Sequence, residues 1–408
     1  MPPRILFVTP YVPSRLRTRP HGFLRTLAKR GHRLALVTAA SSAREESDAA
    51  ALAPWCEKVT VVRVSPARSL LNCALGSVGS VPFQALYTHS PALAAAVRDE
   101  LGRGGYDLLH VEHLRAARLA LEVGGVARVF DSVDCITDLF EHAARDAPSR
   151  PSRWRARLDL ERTRLYEGWL WRQFDAALVT TAADREALLR LPAVPRSGDD
   201  EHLAVVPNGV ELDYFSPASE PRRDDEIVFV GRMGYHANVA AAVRLVEEIM
   251  PAVWAARPEM NVTIVGAEPA ATVEALGRRD ARVTVTGAVP DVRPYLRRAT
   301  LAACPLVYAA GIQNKVLEAM ACGTPVVTST DVARGLALKA ADAVLQADDN
   351  AAFSHQILLL LDDAERRRRL GDAGRAQVAA AHDWNLVVAR LEELYQGALA
   401  RFRARGQG

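Results

Sequence analysis

From Ile5 to Thr9 the chain reads ILFVT, an unbroken apolar run closed by Pro10, which predicts a strand buried on both faces of a parallel sheet. Phe23, Leu24, Leu27 and Ala28 then recur at helical spacing up to Gly31, and LALVT (Leu34 to Thr38) supplies a second strand, completing one βαβ unit. Strand-like runs continue at Val59 to Val64, Asp107 to Val111, Ala127 to Asp131, Ala176 to Thr181 and Leu203 to Pro207, with mostly helical patterns between them. A second series follows at Glu226 to Gly231, Asn261 to Gly266, Arg282 to Gly287, Leu301 to Leu306, Thr324 to Ser329 and Ala343 to Gln346. The pattern predicts an α/β protein of two doubly wound halves.

Turn formers in PNGVELDYFSPASEP (Pro207 to Pro221) interrupt the alternation and mark the seam. Domains are expected at residues 1–207 and 208–383, with Asn208 and Gly209 forming a tight turn in which glycine supplies a positive φ. Residues 384–408 carry an amphipathic helix with no strand after it, free to cross back to the first half.

Composition narrows the class without choosing a chemistry. A formal charge of +3 over 408 residues argues against a bulk nucleic-acid binder. The five cysteines are widely spaced, with no C-x-x-C pair, so neither a disulfide framework nor a zinc site is expected. The start has too short an apolar run for a signal-peptide core, and a cytoplasmic location is expected.

Chemistry concentrates at the ends of the second-half strands. Three of them finish in glycine, at Gly231, Gly266 and Gly287, where the backbone can turn tightly or approach a ligand. The stretch GIQNKVLEAMACGTPVV (Gly311 to Val327) is a helix pattern with a buried stripe of Val316, Leu317, Met320 and Ala321. Lys315 and Glu318 are neighbours at i, i+3 on another face, and that spacing alone fits a structural salt bridge.

The motifs PNGVELDYF, FVGRM, VTGAVPDVRPYL and GIQNKVLEAMACGTPVV, in this order and at strand ends, resemble those of retaining glycosyltransferases of family 4. The wording GIQNKVLEAMA and the HVEH stretch are most similar to the sugar transferases of bacterial exopolysaccharide clusters. The resemblance covers nearly the whole chain. It implies the GT-B architecture, two Rossmann-like domains facing a central cleft, and transfer of a sugar from a nucleotide-diphosphate sugar, the co-substrate, to a glycan, lipid-linked glycan or glycosylated small molecule. Nucleotide-sugar epimerases or hydrolases, and a noncatalytic sugar-nucleotide-binding protein, are the competing readings.

A departing diphosphate needs positive charge or backbone N–H groups around it. The chain has no Asp-x-Asp pair to hold a metal, so no metal or other cofactor is expected and the protein itself must supply that charge. The first turn of the helix after Gly311, with Ile312 and Gln313, is suited to phosphate. By resemblance Arg232 and Lys315 meet the diphosphate and Glu318 the ribose, while Gly287 and Val289 in GAVP offer backbone groups to the base, uracil by expectation. The family's first motif glutamate falls on Ala310, and its usual second cation on Ala237, between His236 and Asn238.

In the first half the resemblance places an active-site group at LLHVEHL. His110 takes one position of the motif, and either Glu112 or His113 faces the sugar. Asp131 and Asp134 either bind acceptor hydroxyls or, for Asp131, cap the next helix. Two arginine-rich stretches, Arg15 to Arg33 and Arg150 to Arg164 around Trp154, suggest a basic side suited to peripheral contact with an anionic membrane carrying a lipid-linked acceptor.

Overall fold

The computed structural model describes residues 2–76, 79–146, 150–192, 200–219, 221–307, 311–336 and 343–406. It divides into two compact units, residues 1–208 with 384–408, and residues 209–383.

The first unit is built on a seven-stranded sheet. Its strands are β1 (Arg4–Thr9), β2 (Arg33–Ala40), β3 (Lys58–Arg63), β4 (Leu108–Glu112), β5 (Ala127–Val133), β6 (Ala176–Val179) and β7 (Leu203–Val205). All pair in parallel, in the order β3-β2-β1-β4-β5-β6-β7. The apolar runs of β1 and β4 are buried on both faces because helices cover each side.

One face packs under the helices Pro91–Gly102 and His113–Leu121. The other packs under the helix Thr18–Lys29 and the chain's last helix, Trp384–Gly406. That last helix lays Trp384, Val387, Val388, Leu391, Leu394, Tyr395 and Ala398 onto the first sheet, the repeating stripe of a core-facing helix. Gly22 lies beneath the Trp384 indole so closely that a Cβ there would overlap the ring.

The second unit holds β8 (Glu226–Val230), β9 (Asn261–Val265), β10 (Val283–Val285), β11 (Leu301–Cys304), β12 (Val326–Thr328) and β13 (Leu345–Gln346). They too are parallel, in the order β10-β9-β8-β11-β12-β13 around one core. In each sheet the order reverses beside the first strand, the arrangement that leaves a crevice at the strands' carboxyl ends.

Most strands stop one or two residues before the sequence pattern does. The residues left over, such as Thr180, Gly231, Gly266 and Gly287, turn out of the sheet and form its C-terminal edge. Asn208 and Gly209 do not make the expected turn. Gly209 is not in the left-handed region, and the Asn208 side chain instead accepts a hydrogen bond from Arg19 at 3.0 Å.

Candidate active site

In the second unit the helix Asn314–Ala321 begins just after Gly311, whose φ of 58° suits glycine. Gln313 is its N-cap residue but makes no capping side-chain bond, so the first-turn amides have no side-chain acceptor there. The opposite end is closed. Arg222 donates to the carbonyl of Cys322 at 2.7 Å, and Arg375 donates to that of Ala321. Two guanidiniums therefore complement the negative end of the helix, and its positive end has the polarity that suits an anion.

Lys315 and Glu318 do not form the salt bridge that their spacing allows. Lys315 Nζ donates to Asn238 Oδ1 at 2.7 Å and to Gln313 Oε1 at 3.2 Å, and lies 5.9 Å from the centre of the Phe229 ring. Burial lowers its pKa. Half-buried Glu318 has its pKa pushed up to about 7 by burial, against the lowering pull of Lys315. Its carboxylate accepts no hydrogen bond among the described residues.

Asn238 ties the two candidate cations together. It receives the Lys315 ammonium and donates to the Arg232 carbonyl at 3.0 Å. Gly231 makes room for it, since a Cβ there would stand 2.8 Å from Asn238 Nδ2. The Arg232 guanidinium is exposed and paired with Glu268 at 2.6 Å. Gly287, at φ 67°, accepts the Gly266 amide at 3.2 Å, which fixes the loop carrying Val289. The Ile312 side chain is sunk in the core, which leaves its backbone as the part that can meet a ligand. Ala310 lies outside the described residues.

The strand ends of the first unit are more enclosed. His110 is buried, stacked on Phe7 at 4.5 Å, and its Nδ1 meets the Tyr395 hydroxyl at 2.9 Å. Its other nitrogen lies 3.7 Å from Asp131. Asp131 is wholly buried. One oxygen accepts from Arg19 Nε at 2.6 Å and the other from the Val133 amide at 3.1 Å. Burial alone would raise its pKa, but Arg19 and His110 outweigh burial and hold it low.

This corrects both readings of Asp131, because its oxygens are already engaged and the next helix is capped elsewhere. The amides of Ile136 and Thr137 donate to Glu167 at 2.9 and 2.7 Å, and that of Cys135 to Asp184 at 3.0 Å. Asp134 remains at the edge, accepting from Thr180 at 3.1 Å, with its pKa raised to about 7 by burial and by Asp184.

Glu112 and His113 point into different surroundings. Glu112 Oε1 accepts from the Tyr11 hydroxyl at 3.0 Å, Oε2 is buried without a partner, and burial raises the pKa to about 8. His113 takes a left-handed backbone, φ 65°, and its Nδ1 accepts the Arg115 amide at 3.2 Å. Its proton therefore resides on Nε2, and burial, aided by Arg115, keeps the ring neutral with a pKa of about 3. Among the described residues three non-glycine residues have positive φ, His113, Val133 and Glu268, and all three follow or end strands at these C-terminal edges. Such conformations are held by the surrounding structure, and they gather at functional sites.

Two family models match the chain in succession. "Glycosyltransferase Family 4" matches residues 19–214 and "Glycosyl transferases group 1" residues 224–363. The chain belongs to glycosyltransferase family 4.

It is similar to a D-inositol 3-phosphate glycosyltransferase of Stackebrandtia nassauensis, 27% identical over 92% of this chain and 85% of the relative. It is also similar to a GDP-mannose-dependent monoacylated alpha-(1-6)-phosphatidylinositol monomannoside mannosyltransferase of Corynebacterium glutamicum, 29% identical over 48% of this chain. That match and two others span only 56 to 63% of the relatives' own lengths. Among solved structures, sucrose-phosphate synthase from Thermosynechococcus elongatus superposes with a TM-score of 0.69 at 18% identity, covering 97% of this chain and 99% of the other. Anabaena HepE in complex with UDP gives 0.65 at 14% identity, over 96% and 98%. These likenesses establish the GT-B fold.

Sequence reasoning missed four side chains that shape the two sets of strand ends: Tyr11 and Arg19 in the first unit, Asn238 and Glu268 in the second. Asn238 had a visible signal, a polar residue inside the apolar helix His236–Val243. Arg19 had none, since it sits in an arginine-rich stretch whose other members are mostly at the surface. That stretch is less basic than its composition suggests, because Arg19 turns inward, Arg30 pairs with Glu392 and Arg33 with Glu57. The side chains of Arg150, Arg153, Trp154 and Arg155 lie outside the described residues.

Proposed function

We propose that this chain transfers a sugar from a nucleotide-diphosphate sugar to an acceptor hydroxyl, with retention at the anomeric carbon and without a metal ion. The observation that carries the reading is the N-terminus of the helix Asn314–Ala321 behind Gly311, with Lys315 in its first turn and, one turn further on, the Glu318 carboxylate, which accepts no hydrogen bond among the described residues. Amides and ammonium suit the diphosphate. The carboxylate suits the paired hydroxyls of a ribose.

In this reading the bond from the anomeric carbon to the diphosphate breaks as the acceptor oxygen bonds on the same face. The acceptor's proton passes to the leaving phosphate oxygen. Lys315, the first-turn amides and Arg232, released from its exposed pair with Glu268, stabilise the charge that develops. An arriving diphosphate also reverses the pKa lowering that burial imposes on Lys315. His113 offers an Nε2–H donor to the sugar, Glu112, its neighbour in sequence, is held by Tyr11, and Asp134 serves the acceptor.

The base assigned is uracil, read by backbone at Gly287 to Pro290. The C. glutamicum relative is named for GDP-mannose, whereas HepE was solved with UDP, so a donor panel decides between the bases. The acceptor class is a glycan, a lipid-linked glycan or a glycosylated small molecule, reached from the cytoplasm at the surface of an anionic membrane. The test is nucleoside diphosphate release by wild type, Lys315→Ala and Glu318→Ala. Large losses in both variants support the assignment, and unchanged turnover in both removes it.

A further inference from the structure

The helix Pro66–Leu75, in the first unit, is amphipathic in the wrong direction for a globular surface. Ala67, Leu70, Leu71, Ala74 and Leu75 recur at i, i+3, i+4, i+7 and i+8, the spacing that normally faces a core. Here all five are exposed, and Leu70, Leu71 and Leu75 keep 66%, 49% and 75% of their surface in solvent.

Its inward face is the polar one. Asn72 Nδ2 donates to the carbonyls of Leu86 at 3.2 Å and His89 at 2.6 Å, Ser69 is buried, and Cys73 meets the Phe83 carbonyl. Specific hydrogen bonds therefore hold the leucines outward, and a contiguous exposed apolar stripe of this kind marks an interaction surface.

The charge pattern says what covers it. No aspartate or glutamate occurs between Glu57 and Asp99, a span that carries Lys58, Arg63, Arg68 and Arg98. Arg68 sits on the helix itself, exposed, with no ion pair among the described residues. At the helix's N-terminal end Arg63, Ser65, Arg68 and Ser90 line one open pocket. Arg63 is only loosely engaged there, 3.9 Å from Glu46. An apolar stripe ending in a basic, hydroxyl-lined pocket matches a phospholipid, whose tails and phosphate lie at successive depths.

We infer that the helix Pro66–Leu75 is a membrane-docking element that lies in the interface of an anionic bilayer, with Leu70, Leu71 and Leu75 among the acyl chains and Arg63 and Arg68 at headgroup phosphates. This gives the proposed lipid-linked acceptor a place to be met. Docking itself needs neither donor nor acceptor, so it is measured apart from transfer.

The experiment is flotation of the full chain with vesicles of phosphatidylcholine alone and of phosphatidylcholine mixed with phosphatidylglycerol. Wild type is expected to float with the mixed vesicles. Leu71→Gln/Leu75→Gln should lower that partition by on the order of tenfold or more, with an unchanged thermal melt because both residues are exposed. Arg68→Gln should lower it less and remove part of its salt sensitivity.

Three results would overturn the inference: no flotation by wild type, equal flotation by the leucine variant, or equal binding to neutral vesicles. Light scattering covers the remaining occupant, because a wild-type dimer that the leucine pair converts to monomer would show that a second copy covers the stripe. Nucleotide release on a water-soluble acceptor reports on the transferase reading alone.

Discussion

The carboxyl ends of the two sheets hold their charges in opposite ways. In the first unit Asp131 and Arg19 meet out of water, and the same guanidinium reaches the Val206 carbonyl and Asn208. In the second unit, among the described residues, Lys315 donates to neutral amide oxygens, Glu318 accepts no side-chain hydrogen bond, and Arg232 is held by a partner as exposed as itself. A buried charge whose partners are themselves buried is committed to the fold. A charge held by groups that can let go remains available to a ligand, and the same residue types thus divide by environment into structure and chemistry.

The comparison is broken most forcefully at the enclosed end. Arg19→Met or Asp131→Asn leaves a buried group without its counterpart, and each should cost about 3 to 5 kcal/mol of unfolding free energy in urea titrations. The double variant should cost less than the two singles together. A pair worth under 1 kcal/mol would mean that this end is no more committed than the other.

At the second unit the expectation inverts, with activity lost and stability kept. Lys315→Ala should lower turnover by about a hundredfold to a thousandfold, the range for removing one preorganised donor to developing charge, while the melting temperature stays near that of wild type. Lost stability with intact turnover would move Lys315 into the structural class.

Glu318 supplies a pH signature. Its pKa is raised to about 7 in the folded protein, and hydrogen bonding to ribose hydroxyls is served by the ionised form. Nucleotide affinity should therefore fall as pH drops below about 7, and Glu318→Gln should flatten that dependence in calorimetric titrations. For stability the sign is opposite. A carboxyl whose folded pKa exceeds its unfolded value stabilises fully below the unfolded value, and this contribution is lost as pH rises through 7.

The smallest effect is expected at the exposed pair. Glu268→Gln should change stability by less than about 1 kcal/mol, as for surface ion pairs generally, while tightening diphosphate binding by releasing Arg232.

The order of strands and helices was legible because both faces of each parallel sheet are covered, so the strands appear as unbroken apolar runs. The last helix was legible as amphipathic, and its stripe on β4 to β6 has the spacing the sequence shows. Strand ends were less legible, because residues such as Val133 and His113 leave the sheet in conformations that only the surrounding packing enforces. The helix after Gly311 could be read from its glycine and its buried stripe.

What Lys315 touches could not be read in this way, since Asn238 comes from a helix 77 residues earlier. Asp131 was misjudged for a similar reason. Its partner Arg19 lies 112 residues away, in a stretch that composition marks as surface. The Pro207 to Pro221 stretch carries turn signals, yet Asn208 and Gly209 make no such turn, and the Asn208 side chain meets Arg19 of the first helix, 189 residues away.

The central claim is that a nucleotide's diphosphate is received at the strand ends of the second sheet, by the helix Asn314–Ala321. The most direct measurement is a crystal structure of the chain with a bound nucleoside diphosphate. The account predicts phosphate oxygens within hydrogen-bond distance of the first-turn amides and Lys315, with the ribose hydroxyls on Glu318. Density for the nucleotide at the strand ends of the first sheet, with Lys315 still on Asn238 and Gln313, would contradict it.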